Sequence, residues 1–240
     1  MISVIIPVMN ERRTLQRVIR EAGKVHPQSE IIVIANGCTD GSARLARRLG
    51  VHVYEYPEPL GHDVPRAVGA RMAKGEVLLF IDGDMIVPAE DLRLFVRHIL
   101  SGGDIALNSY SGPVHSRQTH PVVSAKHTLN MLLERPDLKG ASLTAVPHAL
   151  SRRAAEMLGA DLLSNPPLAL AQAVLKGIEV TPVHEVNAGR LNRSRRRAGQ
   201  DDLLIPLLVG DHMEAIGLIL ENRGLRGGFS DLERIREKAR

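Results

Sequence analysis

Tryptophan is absent from this 240-residue chain, and phenylalanine and tyrosine occur only three times each. Platforms for single-stranded nucleic acid stack bases on aromatic rings, so that class has little to build with here. An extended carbohydrate groove walled by aromatic faces is equally ill supplied. Cysteine is nearly missing too. Cys38 alone excludes an intramolecular disulfide framework, suits a reducing compartment, and reads as a small filler. No apolar run approaches the roughly 20 residues of a membrane-spanning helix. The N-terminus opens on a strand-like segment, without the basic-then-apolar layout of a signal peptide. These absences make a cytoplasmic protein the expectation. No Gly-x-Gly-x-x-Gly follows an apolar run, which removes the dinucleotide-dependent dehydrogenases.

What is present is a globular α/β pattern. With 44% hydrophobic residues, a sizeable core is within reach. The balance of 31 basic against 27 acidic residues gives only +4, too mild for a dedicated nucleic-acid binder. Buried strands are expected at 2–8, 30–35, 51–54 and 77–81. Helices are expected between and after them, at 13–25, 42–49, 64–73 and 89–100. Strands alternating with helices of this length predict a mostly parallel sheet covered on both faces. Beyond Gly102-Gly103 the alternation loosens. Strands are expected at 104–109, 142–149 and 178–182, and helices at 122–133, 151–158, 167–175, 201–223 and 232–238. No internal repeat or low-complexity linker divides the chain. The expectation is one domain over 1–240, with 1–100 and 101–240 as its two halves.

The most informative stretch is Glu76–Asp84, an apolar run that ends in Asp82-Gly83-Asp84. In open α/β sheets, ligands bind outside the carboxyl ends of the strands. Carboxylate oxygens suit hard cations such as Mg²⁺ and Mn²⁺, which bridge protein carboxylates to substrate phosphates. Two further segments point the same way: Ser3–Glu11, a strand running into Asn10 and Glu11, and Ile31–Ser42, a strand ending in a turn and then a helix. In this order the three segments resemble the nucleotide-sugar domain of family-two and related glycosyltransferases with the GT-A fold. That family reads Ile-Pro-x-x-Asn-Glu, Asp-x-Gly-Ser-Thr-Asp and Asp-x-Asp at these places.

The resemblance implies a metal-dependent glycosyltransferase that uses a nucleotide-diphosphate sugar, UDP ahead of GDP, with Mn²⁺ or Mg²⁺ as cofactor. It implies that Pro7, Val8, Asn10 and Glu11 line the nucleobase and ribose pocket. Asn36 stands where the family often has Asp or Ser, and would face the base, with Gly37 leaving the backbone open to it. Asp82 and Gly83 belong to the same nucleotide-binding stretch; Asp82 holds the ribose or assists the metal, and Asp84 binds the ion that bridges the diphosphate. His62 and Arg66 sit where a glycine-bearing loop and helix face the diphosphate; arginine suits phosphate geometry, and an exposed cationic helix face is the other reading. Asn36-Gly37 is also a good turn by itself, and Asp40 is as well suited to capping a helix as to touching a ligand.

A looser likeness extends to the retaining glucosyl-3-phosphoglycerate synthase group through 134–138, 143–158 and 186–193. There the last segment carries a metal-binding histidine two residues after an arginine. In this chain the arginine position is Arg190 and the histidine position is Asn192, leaving Asn192 or His184 as the remaining ligand, with His212 more distant. Inverting members place an acidic base near a helix start; Ser164–Pro167 offers no carboxylate there, and Asp161 is the nearest candidate. That gap fits a retaining reaction or a catalytically silent nucleotide-sugar-binding scaffold. Sugar nucleotidyltransferases share the architecture but open with a glycine-rich loop, where this chain has Pro7–Glu11. Processive polysaccharide synthases are excluded by the missing tryptophan and membrane helices.

Residues 190–197 hold five arginines in eight positions. They read as a solvated loop, as a lid over the diphosphate or an anionic acceptor (through Arg190 and Arg193), or as a contact with an anionic membrane surface bearing a lipid-linked acceptor. The expected partners are therefore a nucleotide-diphosphate sugar and an acceptor of unassigned identity, with a peripheral contact on the inner membrane face and a homodimer left open.

Overall fold

Aliphatic side chains on both faces set the centre of the sheet. In the computed structural model, which describes residues 1–112, 119–187 and 202–239, the strands β1 (Ile2–Val8), β2 (Ser29–Asn36), β3 (His52–Tyr56) and β4 (Val77–Phe80) run parallel. Val4 lies opposite Ile31 on one side and Leu79 on the other. Strands buried on both faces need helices above and below. The helices α1 (Leu15–Gly23), α2 (Ser42–Arg48), α3 (Val64–Met72) and α4 (Ala89–Leu100) provide them. On α1 the apolar positions Leu15, Val18, Ile19 and Ala22 recur at helical spacing and are buried. The helix α3 lies directly on β1: a Cβ on Gly69 would sit 2.3 Å from Ile5 Cγ2.

The second half extends the sheet by mixed pairing. The strands β5 (Ile105–Asn108), β6 (His148–Ser151) and β7 (Val180–His184) complete a seven-stranded order β3-β2-β1-β4-β6-β5-β7. β6 is antiparallel to both β4 and β5, whereas β7 is parallel to β5. The helices α5 (Pro121–Leu132), α6 (Arg152–Leu158), α7 (Pro166–Leu175) and α8 (Leu204–Arg223) pack around it. Pro206 is tolerated in α8 because it falls in the first turn, where the backbone N–H has no intrahelical acceptor to lose. At the end of β5, buried Asn108 bonds the carbonyls of Val146 and Val186 through Nδ2, both at 2.9 Å, and accepts from the Tyr110 and Val186 N–H groups. It thus ties together the loops that flank β5, β6 and β7.

Two expected elements are corrected. Residues 143–147 are turns and bends, and the strand is confined to His148–Ser151. Ser142 Oγ accepts from the Thr144 N–H at 3.2 Å, a side-chain bond that competes with a sheet ladder. The C-terminal helix expected at 232–238 is reduced to one 3₁₀ turn at Arg236–Ala239. Leu232 and Glu233 adopt φ of 51° and 56°, and Ser230 Oγ accepts from the Leu232 N–H at 3.0 Å.

Candidate functional site

The parallel strands β2, β1 and β4 end on one edge of the sheet, where a cleft of about 420 Å³ opens. That volume falls in the range of small-molecule sites. One end of the cleft is charged. The loop after β4 supplies half-buried Asp82 and Asp84, and the N-terminal turn of α3 supplies Asp63 and Arg66. Asp63 precedes α3 in a left-handed conformation, φ 62°, with Pro65 just inside the helix. Arg66, only 5% exposed, donates through Nη2 to Asp82 Oδ1 at 2.9 Å and through Nη1 to Asp63 Oδ1. His62 Nε2 stands 3.4 Å from Asp63 Oδ2. Burial lowers the His62 pKa and the Arg66 charge lowers it further, with the Asp82 carboxylate opposing them.

Gly83 lets this loop press on β1. A Cβ there would lie 3.0 Å from Val8 Cγ2 and 3.1 Å from the Pro7 carbonyl oxygen. Thr14 Oγ1 donates to the Gly83 carbonyl at 2.8 Å. Behind the site, His148 on β6 stacks on Phe80 with ring centroids 4.9 Å apart. Burial pushes its pKa down to about 3, with Arg66 adding to the effect, so His148 is a neutral wall.

The cleft is also walled by Pro7, Val8, Pro59 and Asn36, the last at the end of β2, together with Glu11. Asn36 Oδ1 accepts from the Leu60 N–H. Gly37 lies behind this wall with φ +64°, and a Cβ there would meet Pro59 Cγ at 2.8 Å. Its N–H donates to the Tyr56 carbonyl at 2.9 Å.

Of the residues singled out from the sequence, Pro7, Val8, Glu11, Asn36, His62, Arg66, Asp82, Gly83 and Asp84 line the cleft. Others stand elsewhere. Asn10 is turned away: with φ 61° it accepts through Oδ1 from the N–H groups of Thr39 at 2.8 Å and Asp40 at 3.2 Å, tying the first loop to the second. Arg66 holds Asp63 and Asp82 through Nη1 and Nη2. Asp161 is exposed and bound by Arg71 near the far end of α3, so it does not line the cleft. His184 Nε2 lies 3.2 Å from Asp91 Oδ1, with its ring edge-on to Phe95, and does not line the cleft either. His212 is buried in α8 with Nδ1 2.6 Å from the Leu208 carbonyl oxygen. Arg190, Asn192 and Arg193 lie outside the described residues. Asp63, Pro59 and Leu204 line the cleft without having been singled out. Asp63 could have been found, since Asp63 and Arg66 stand three residues apart at a helix start, the spacing of a side-chain ion pair.

Among the described residues no group of three or more His, Cys, Asp or Glu side chains could hold a metal ion. Asp82 and Asp84, one residue apart after β4, offer carboxylate oxygens that suit a hard divalent cation, with the remaining coordination left to ligand oxygens and water. That donor set fits a metal that arrives with a diphosphate.

The glycosyl transferase family 2 model matches residues 3–155, well over half of the chain and all of the strands from β1 to β6. The chain belongs to this family. AglE, a glycosyltransferase of Haloferax volcanii, is 32% identical over 91 residues, 35% of this chain and 30% of that protein. The undecaprenyl-phosphate 4-deoxy-4-formamido-L-arabinose transferase of Pectobacterium atrosepticum is 25% identical over 146 residues, 56% of this chain and 43% of that protein. The chain thus spans less than half the length of either relative. Among solved structures, glucosyl-3-phosphoglycerate synthase of Mycobacterium tuberculosis bound to UDP superposes with a TM-score of 0.66. It is 21% identical, covering 90% of this chain and 80% of that one. This superposition establishes the GT-A fold. No helix among the described residues is long and apolar enough to cross a membrane.

Proposed function

We propose that this family-two chain transfers a sugar from a nucleotide-diphosphate sugar to an acceptor hydroxyl, with a divalent cation held at Asp84. The observation that carries the reading is the charged end of the cleft, where Arg66 neutralises Asp82 and Asp84 stands beside it at the end of β4. When bound, the cation would stabilise the negative charge that grows on the departing diphosphate. Asp84 and Asp82 would hold it, as the carboxylates that fit such an ion. The part walled by Pro7, Val8, Pro59 and Asn36 would take the nucleoside, and Asp82 with Gly83 would face the ribose. UDP as the donor nucleotide is supported by structures of the same fold solved with UDP and Mn²⁺ or Mg²⁺. An anionic or lipid-linked acceptor is supported by the phosphoglyceric acid complex of one neighbour and by the undecaprenyl-phosphate transferase among the relatives.

Calorimetric titration of UDP and GDP, with and without Mn²⁺, tests this reading. UDP should bind only with the metal, and Asp84→Asn should weaken that binding at least tenfold. Equal binding by the variant would remove Asp84 from the site. A second reading, a nucleotide-sugar-binding scaffold without turnover, is favoured by the placement of Asp161 against Arg71, away from the cleft. Sugar transfer to any acceptor would eliminate it.

A further inference from the structure

Away from the cleft, three arginines gather at one hollow. Arg12, Arg44 and Arg47 line a concavity of about 490 Å³ together with Asp40, Gly41 and Glu55. Gly41, which opens α2 with φ +87°, lies where two of them meet. The point at which it would carry a Cβ is 3.5 Å from Arg44 Nη2 and 3.9 Å from Arg12 Nη1. Two guanidinium ends thus converge on a residue that has no side chain to fill the space.

The carboxylates of the hollow are engaged elsewhere. Asp40 Oδ1 accepts from the Ser42 N–H at 2.9 Å and from the Ser42 hydroxyl at 2.5 Å, and Oδ2 accepts from the backbone N–H of Arg12 at 3.0 Å. Glu55 is paired with Arg47. The Arg12 guanidinium reaches only the Asp40 carbonyl oxygen, at 3.4 Å through Nη1. The Arg44 side chain has no hydrogen bond or ion pair among the described residues. Like charges held at one spot repel, and an anion between them reverses the sign of that interaction. Phosphate is the anion whose oxygens match the planar fork of a guanidinium.

The hollow shares no lining residue with the cleft. The first loop stands between them. Glu11 lines the cleft and donates its backbone N–H to Ser42 Oγ at 2.9 Å, while Asn10 Oδ1 accepts from the N–H groups of Thr39 and Asp40. We infer that Arg12 and Arg44 form a phosphate-binding site separate from the cleft. All three arginines are exposed, so the phosphate group can be that of a small phosphorylated molecule or of an anionic lipid headgroup. The inference does not rest on the proposed transfer reaction.

Calorimetric titration of pyrophosphate with no divalent cation present tests it, because the cleft is proposed to hold a diphosphate only with a metal. The wild type should bind, and added salt should weaken the binding. Arg12→Gln combined with Arg44→Gln should weaken it about tenfold or more. Arg17→Gln combined with Arg20→Gln removes the same charge from exposed positions on α1 and should bind as the wild type does. An equal loss in that control would mean general attraction to a basic surface, and the inference falls. Flotation with phosphatidylglycerol vesicles, against phosphatidylcholine vesicles, distinguishes the sources. Vesicle binding that the Arg12/Arg44 variant loses would assign a lipid headgroup; pyrophosphate binding without vesicle binding would assign a soluble ligand. Binding to neither probe, or only binding that the variant retains, overturns the inference. Failure of UDP to bind with Mn²⁺ would overturn the proposed function alone.

Discussion

Arg66 shows what one buried residue does for the site. Its guanidinium joins Asp63 and Asp82, with 6% of the Arg66 side chain and 2% of the Asp63 side chain exposed. Two carboxylates spaced like this need the planar fork of arginine, which an ammonium cannot reproduce. Replacing Arg66 by Met should strand the Asp63 charge in the interior. Breaking one partner out of a buried pair costs about 3–5 kcal/mol. Urea denaturation should therefore show that loss, with Arg66→Lys recovering only part of it; a wild-type midpoint for Arg66→Met would refute the assignment. The Asp82-x-Asp84 pair was legible because it follows an apolar strand. The role of Asn10 was not. Its motif position is right, but a left-handed backbone lets the side chain bond Thr39 and Asp40 and turns it from the cleft. Asp161 misled for a different reason. Nearness in sequence to a missing base says nothing about Arg71, which arrives from 90 residues away.

At the scale of elements, strands covered on both faces announce themselves and strands defined by pairing do not. The strands β1, β2 and β4 are continuous apolar runs, and each was placed from the sequence to within a residue or two. β6 is four residues long and sits between β4 and β5 in the opposite direction. Nothing local in 142–151 specifies that direction, and Ser142 and Thr144 hold the preceding residues in a turn. β6 also carries His148, whose burial has a consequence for pH. Its folded pKa is about 3, below the ordinary value near 6.5. Between these values the unfolded chain binds a proton that the folded chain refuses, so stability falls as pH drops through the window and levels off above it. Between pH 7 and pH 5 this single group should remove about 2 kcal/mol. His148→Phe keeps an aromatic ring on Phe80 and should abolish that part of the slope. Thermal denaturation of both proteins at pH 7 and pH 5 decides it. Parallel pH profiles would mean that His148 is not the group responsible.

The whole molecule joins a regular half to an irregular one. The first hundred residues repeat a strand–helix unit whose alternation accounts for parallel strands, although setting β4 beside β1 in the order β3-β2-β1-β4 takes a pairing across 75 residues. The second half depends on long-range ties, such as Asn108 joining the carbonyls of Val146 and Val186, and a sequence pattern does not record such ties. This asymmetry bears on ligand binding, because the cleft is formed chiefly by the regular half while Leu204, at the start of α8, borders it from the other. Two carboxylates, one of them already paired with Arg66, make a weak metal site alone. With a diphosphate they make a stronger one, since phosphate oxygens complete the coordination. Mn²⁺ alone should therefore leave the melting temperature nearly unchanged. Mn²⁺ with UDP at a hundred times its Kd should add about 2.7 kcal/mol, because a ligand that binds only the folded state stabilises it by mass action. For a chain of this size that corresponds to a rise of roughly 5–10 °C. A comparable shift from Mn²⁺ alone would show a preformed metal site and overturn the assignment of the ion to a diphosphate-completed one.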